Sequence, residues 1–417
     1  MRIAVIGAGS AGLTSAWLLQ ADHDVVVFEA DGRAGGHVNT VAVEVDGRTV
    51  PVEMGAEFFF QEGYGGLHAL LGRLGIAPIR ERLCVSMTMP GRPTPVVVPP
   101  THPRALATCL PPRTARDLYW LWRFGVAGER VVADVDWGVT VERLAERCGA
   151  PRDVAERLIL PLVAASWGVT REQAAAFAAY SVVRVMGLRA SKDPHSFRLP
   201  GGFSTYIDRL VGDSPRCELR LNTPVRGVER TDAGLVVHSA DVAEAFDAVV
   251  LACDWRNSAA MCAGSPHLDA WARAFRAFED YDTSVAVHRD LAQMPASRHH
   301  WGASNFFLTR DDRPRTTVWS GRPRGAAVFR TWLRPGEAEP RGTTHVARYR
   351  HIACTTAHPA RQAALARLQG TAGLWAAGMY TDGVDNHESA LRSALRVAQR
   401  IAPTSERVRW FAPRVSA

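Results

Sequence analysis

The spacing of apolar residues along this chain shifts between continuous, helical and alternating, and each shift predicts an element. Arg2–Ile6 and Asp24–Phe28 are short runs dominated by β-branched and small residues, as strands covered on both faces require. Residues 13–20 between them read as helix. Residues 248–253 form another fully apolar run, which we place beside Arg2–Ile6 in one parallel sheet, and 374–378 read as a further strand. Residues 41–45 and 49–52 flank Asp46-Gly47 and predict a hairpin. Residues 67–74 form a short amphipathic helix that Gly75 ends.

The middle of the chain changes character. From 84 to 112 it is rich in proline, which predicts edge strands and irregular segments without helix. Helical spacing then holds over 114–126, 139–148, 152–166 and 171–187, with Thr140 and Thr170 as N-caps. After a turn at 197–203 come a helix at 204–211 and strand-like runs at 218–221, 225–229 and 235–239. Residues 283–288, 316–320 and 327–332 alternate, as an antiparallel sheet does. Residues 335–343 read as loop and 388–401 as helix.

A length of 417 residues is too great for one core and implies two domains or a large insertion. Apolar residues make up 47% and charged residues 22%, as in a globular enzyme. No apolar run approaches the roughly 18 residues of a membrane span. The net charge of +7 raises nucleic acid as a partner, but the arginines are scattered, with no basic stripe or aromatic module. Lys192 is the sole lysine. The seven cysteines show no C-x-x-C spacing, which argues against a disulfide framework or a metal site and for free thiols in the cytoplasm. The opening stretch, broken by glycines and followed at once by a second strand, does not have the pattern of a leader peptide.

The chemistry begins at Gly7-Ala8-Gly9-Ser10-Ala11-Gly12, a G-x-G-x-x-G run between a strand and a helix. Gly7 serves the tight turn, Gly9 the approach of a pyrophosphate, and Gly12 the close seating of helix on sheet. Ser10 and Ala11, between these glycines and just before the helix whose amides face the phosphates, are counted with the cofactor-binding residues. Glu29, with Ala30, ends the second strand about 20 residues on, where a ribose hydroxyl is held.

Four further motifs follow in order: Arg33-Ala34-Gly35-Gly36-His37, Glu53-Met54-Gly55-Ala56, Thr223-Pro224-Val225, and Leu374-Trp375-Ala376-Ala377-Gly378-Met379. The series resembles the flavin amine oxidase and phytoene desaturase superfamily over nearly the whole chain, most of all a bacterial branch with GGH in place of GGR. The resemblance implies an α/β fold: a Rossmann-like FAD-binding domain of the GR2 type from residues 1–75, 200–255 and 345–417. A mixed α+β substrate domain, helical block plus antiparallel sheet, would use 76–199 and 256–344. It implies noncovalent FAD, since no cysteine stands near the C-terminal motif. Arg33, Gly35, Gly36 and His37 would meet the pyrophosphate, Met54, Gly55, Ala56 and Glu57 would pass the flavin ring, and Val225 would contact adenine. Gly378 and Met379 stand where relatives often carry Gly-Glu. Asn386 and His387 would start the helix aimed at the pyrimidine edge.

Glu57, His387 and Tyr380 are the catalytic candidates. The leading expectation is an FAD-dependent oxidoreductase that removes hydride from a C–N or C–C bond of a small, partly apolar molecule. Its rivals are a redox-neutral double-bond isomerase and a non-catalytic FAD-stabilised partner protein. No lysine stands in the alternating sheet, where many amine oxidases place one near flavin N5. We expect no metal, nucleic acid or integral membrane segment.

Overall fold

The architecture follows from which side each strand residue can bury. The computed structural model describes residues 1–92, 94–186, 195–232, 234–240, 242–308 and 313–415. Its central sheet is parallel and five-stranded, in the order Leu374–Ala376, Ala248–Leu251, Arg2–Ile6, Asp24–Phe28, Cys217–Arg220. Ile3, Val5, Val25, Val27 and Val250 point to one face, packed on helices Ser10–Leu19, Ser204–Gly212 and His387–Ile401. Ala4, Ile6, Val26, Phe28, Val249 and Leu251 point to the other, against a three-stranded sheet and helices Trp255–Cys262 and Asp269–Arg276. Covering on both faces explains why these strands read as unbroken apolar runs.

The second layer is a seven-stranded sheet. Its order is His345–Ile352, Asp280–His288, Phe329–Leu333, Arg315–Val318, Ser304–Phe307, Val85–Thr88, Val96–Val98, antiparallel except for the pairing of Ser304–Phe307 with Val85–Thr88. The helical block packs on it, and the Thr316 hydroxyl donates to Ala165 O (2.7 Å) to tie helix Leu160–Trp167 to the sheet. Thr140 and Thr170 cap helices Val141–Arg147 and Arg171–Ala176, Thr170 in a capping box with Gln173. The hairpin pairs Thr40–Val45 with Arg48–Glu53, and Asp46 and Gly47 both take positive φ.

Three expectations are corrected. The proline-rich tract contains a helix, Pro103–Cys109: Pro103 sits in the first turn, where no N–H is needed, and His102 Nδ1 accepts from Arg104 N (3.1 Å). The helix expected over 171–187 is two, Arg171–Ala176 and Ala179–Met186. Phe177 and Ala178 are drawn into bridges to Thr355 and Thr140. His345–Ile352 is an edge strand of the seven-stranded sheet, so that sheet extends past residue 345.

Among the described residues no helix is long and apolar enough to cross a membrane, and no group of three His, Cys, Asp or Glu is placed to hold a metal.

Candidate nucleotide site and adjoining clusters

Two glycine turns cross where the first strand ends. Gly7 takes φ +108°, and a Cβ there would lie 2.8 Å from Ala252 O; at Gly12 it would lie 1.9 Å from Gly7 O. Neither position has room for a side chain. Gly35 N donates to Ala8 O (2.7 Å), which locks the second turn onto the first. Gly36 takes φ +58° and would press a Cβ to 3.2 Å from Gly9 Cα.

Gly9 differs from its neighbours. Its φ of −75° suits any residue, and the nearest atom to a Cβ would be Gly35 O at 4.0 Å. Nothing in the protein demands a glycine there. The open side lies at the N-terminus of helix Ser10–Leu19, which has no capping side chain and no acid in its first turn. A cradle that a Cβ would fill, at a positive helix end, fits a pyrophosphate.

Other residues complete this end. Glu29 Oε2 accepts from Ala8 N (2.7 Å) and Oε1 from Asp31 N (2.9 Å), so the carboxylate stands beside the cradle. Ala30 is exposed next to it. Val225 follows Thr223, whose N–H bonds Glu29 O (2.7 Å). Arg33 turns inward: its guanidinium donates to Gly36 O (2.9 Å) and Val38 O (3.1 Å), so it shapes the second turn.

Helix His387–Ile401 starts opposite. Asn386 caps it, Oδ1 accepting from Ser389 N (2.8 Å). His387 Nε2 lies 2.7 Å from Tyr206 Oη, and the Tyr206 hydroxyl donates to Ser10 Oγ (2.7 Å), so one chain of bonds joins the two helix starts. Burial pushes the His387 imidazole down to about 4, hence neutral at pH 7. Glu388 is buried and accepts from Gly66 N (2.7 Å) and Leu67 N (3.0 Å), which fixes helix Gly65–Arg73 against this one.

Two side-chain clusters that the sequence did not reveal lie beside Gly55 and His37. Arg330, on strand Phe329–Leu333, is 3% exposed. It donates to Glu53 O (2.6 Å), Gly55 O (3.1 Å) and Glu57 Oε2 (2.5 Å). Burial raises the Glu57 carboxyl, and Arg330 pulls against it. Glu53, bonded by Phe203 N and the Thr40 hydroxyl, is pushed up to about 7 by burial. The second cluster comprises His37, Tyr349, His351 and Asp385. The His37 ring stacks on Tyr349 (4.8 Å between centroids), and His351 Nδ1 meets Asp385 Oδ2 at 3.2 Å. His37 is exposed to solvent, with its ring packed between Tyr349 and His351. Its pKa is lowered to about 4 by desolvation and then by His351. Asp385 directly precedes the Asn386 cap, which places this cluster between the glycine turns and the helix start.

Not every expected residue meets the site. Tyr380 is core, its ring against Trp255 (5.4 Å), Phe278 (5.4 Å) and Phe275 (6.2 Å), and we withdraw it as a catalytic candidate. Met54 is 1% exposed and packs between hairpin and sheet. Gly55 is required by the protein itself, because a Cβ would lie 2.0 Å from His37 O; Ala56 N donates to the same carbonyl (3.2 Å). Gly378 N donates to Ser393 Oγ (2.8 Å), and Met379 packs on the core. Glu57 and His387 are held by different partners. Lys192 lies outside the described residues. Only alternation along His345–Ile352, with Tyr349 and His351 on one face, could have signalled the second cluster.

Known proteins resemble this chain in the same terms. The family model described as flavin containing amine oxidoreductase matches residues 10–313. An L-amino-acid oxidase of Pseudechis australis is 51% identical over 47 residues, which is 11% of this chain and 9% of that protein. The match therefore spans about a tenth of that relative's length. A CLA-producing fatty acid isomerase from P. acnes superposes with a TM-score of 0.71 at 15% identity, over 96% of this chain and 98% of that one. Cyclohexylamine oxidase from Brevibacterium oxydans gives 0.65 at 15%, over 96% and 99%.

Proposed function

This chain belongs to the flavin containing amine oxidoreductase family, and from that premise we propose that it is an FAD-dependent oxidoreductase with noncovalently held FAD. It removes hydride from a C–N or C–C bond of a small, partly apolar substrate. The observation that carries the reading is Gly9: a glycine with an ordinary φ and open space on its side, at an uncapped helix start, is explained by a ligand and by nothing in the protein.

Bound FAD supplies the hydride acceptor. The residues of the chain do the rest. The crossed glycine turns admit the pyrophosphate to backbone amides, and Glu29 takes the ribose end. The start of helix His387–Ile401 directs its positive end at the pyrimidine edge, where it stabilises negative charge. With Tyr206 donating to Ser10, His387 Nε2 carries the ring proton and Nδ1 is the acceptor. Its depressed pKa keeps that acceptor unprotonated at neutral pH. Glu57 is held and oriented by Arg330, which opposes the rise that burial causes in its carboxyl, and is the second acceptor candidate.

A redox-neutral double-bond isomerase is the second reading, favoured by the charge beside Gly55. The buried cation there is a guanidinium, which does not give up its proton and is already compensated by Glu57. No lysine stands among the described residues of that sheet.

The experiment has two stages. Photoreduced holoprotein mixed with air should reoxidise slowly beside a typical amine oxidase. Substrate added without oxygen should then bleach the flavin once if the protein is a dehydrogenase, and should turn over without net bleaching if it is an isomerase. Fast reoxidation with peroxide release, lost in Lys192→Met, would overturn the assignment of Arg330 as the relevant cation.

A further inference from the structure

The outer surface of the helical block carries apolar side chains where a soluble face should be polar. Among the described residues nine large hydrophobic side chains are exposed, and four of them lie between 106 and 122: Leu106 (51%), Leu110 (71%), Tyr119 (46%) and Trp122 (54%). Leu106 and Leu110 stand four apart on helix Pro103–Cys109 and its C-cap, so they share one face. Tyr119 and Trp122 stand three apart on helix Pro112–Ala133, with ring centroids 6.1 Å apart. The exposed corner Leu110-Pro111-Pro112 joins the two helices.

The charge on these two helices is mainly positive, with Asp153 beside Arg116 and Asp134 and Asp136 following the second helix. Residues 101–133 contain five arginines, all exposed, and only two acids. Of those acids, Asp117 is fully buried between Arg92 (2.7 Å) and Arg157 (2.5 Å), and Glu129 is half-buried. Arg104 and Arg113 have no acidic partner among the described residues; Arg116 has only the exposed Asp153 at 3.4 Å. Arginine stems also cover apolar surface while their heads reach outward.

We propose that this face docks on an anionic lipid bilayer, with Leu106, Leu110, Tyr119 and Trp122 entering the headgroup boundary and the arginines meeting lipid phosphates. Leucine with tryptophan and tyrosine, rimmed by arginine, is the composition of a helix that lies in a membrane interface. A net excess of exposed arginine, with Arg104 and Arg113 left without an acidic partner among the described residues, complements a negative leaflet. The same arginines set against one another oppose a second copy of the chain. This inference is independent of the flavin reading.

The test is co-sedimentation of the holoprotein with phosphatidylcholine vesicles, pure or containing one-third phosphatidylglycerol. Binding is expected only with the anionic vesicles and should weaken as salt rises. Arg104→Glu combined with Arg113→Glu should lower partitioning about tenfold or more. Trp122→Glu should lower it as well, with flavin content and circular dichroism unchanged. No binding to anionic vesicles, or binding indifferent to all these changes, overturns the proposal. So does a dimer in solution that Trp122→Glu dissociates while vesicles are ignored, because a second copy would then be the occupant.

Discussion

Around the five-stranded parallel sheet the chain works with its backbone, and around the seven-stranded sheet it works with side chains. Gly7, Gly12 and Gly35 have no room for a Cβ, and the amides of Gly7 and Gly35 are spent on Phe28 O and Ala8 O, which holds the two turns together. Beside the other sheet Arg330 is buried among two carbonyl oxygens and Glu57, and His351 is set against Asp385. The first arrangement depends on shape and tolerates no added atoms. The second depends on charge balance and tolerates no missing partner. A substitution should therefore fail by a different route in each half.

Gly12→Ala should have the largest effect. Its methyl would lie 1.9 Å from Gly7 O, inside the turn itself, so soluble folded protein should be lost. Yield and far-ultraviolet circular dichroism check this. A folded, flavin-bearing Gly12→Ala protein would show that the helix can lift from the sheet and would blur the contrast.

Arg330→Met comes next. It leaves Glu57 buried without its cation, which costs ~3 kcal/mol or more. The denaturation midpoint should fall, and adding Glu57→Gln should recover much of the loss, because the neutral amide needs no counter-charge. If the double variant is no more stable than Arg330→Met, charge balance is not what matters there.

The smallest effect expected is that of a single histidine on the slope of stability with pH, and its sign can be worked out. His37, His288, His358 and His387 are lowered to about 4 by burial from 6.5. Unfolding therefore takes up protons between those values, so their contribution is complete above pH 6.5 and is lost as pH falls towards 4. Glu53 opposes them: its folded value near 7 makes its contribution complete below 4.5 and lost as pH rises to 7. Four groups outweigh one, and stability should fall from pH 6.5 towards 4. His387→Asn should flatten that slope by up to one proton, ~1.4 kcal/mol per pH unit. An unchanged slope would place His387 in a wetter setting.

The same contrast governs what could be read from the sequence. Glycine turns are contiguous, and each strand of the parallel sheet announces itself by an apolar run, so that half was legible. The hairpin and the strands Asp280–His288 and Phe329–Leu333 were legible by local alternation. Helix Pro103–Cys109 was hidden because prolines were counted as breakers, although a first-turn proline starts a helix. Strand His345–Ile352 was hidden because arginine and histidine interrupt its alternation. Arg330, His351 and Asp385 each look like a solvated charge in sequence, and only pairing of distant strands buries them. Tyr380 shows the reverse error: proximity to a motif made it a candidate, while packing with Trp255 and Phe278 makes it core.

The central claim is that the open side of Gly9 is kept for a dinucleotide. Gly9→Val tests it most directly, because the position has an ordinary φ and the nearest atom to a Cβ would be Gly35 O at 4.0 Å, so the fold should survive. The flavin content of the purified variant should be measured against the parent by absorbance, after acid precipitation and identification of the released nucleotide. The account predicts FAD in the supernatant of the parent, and a folded Gly9→Val protein with almost none. Full flavin occupancy in Gly9→Val would contradict it.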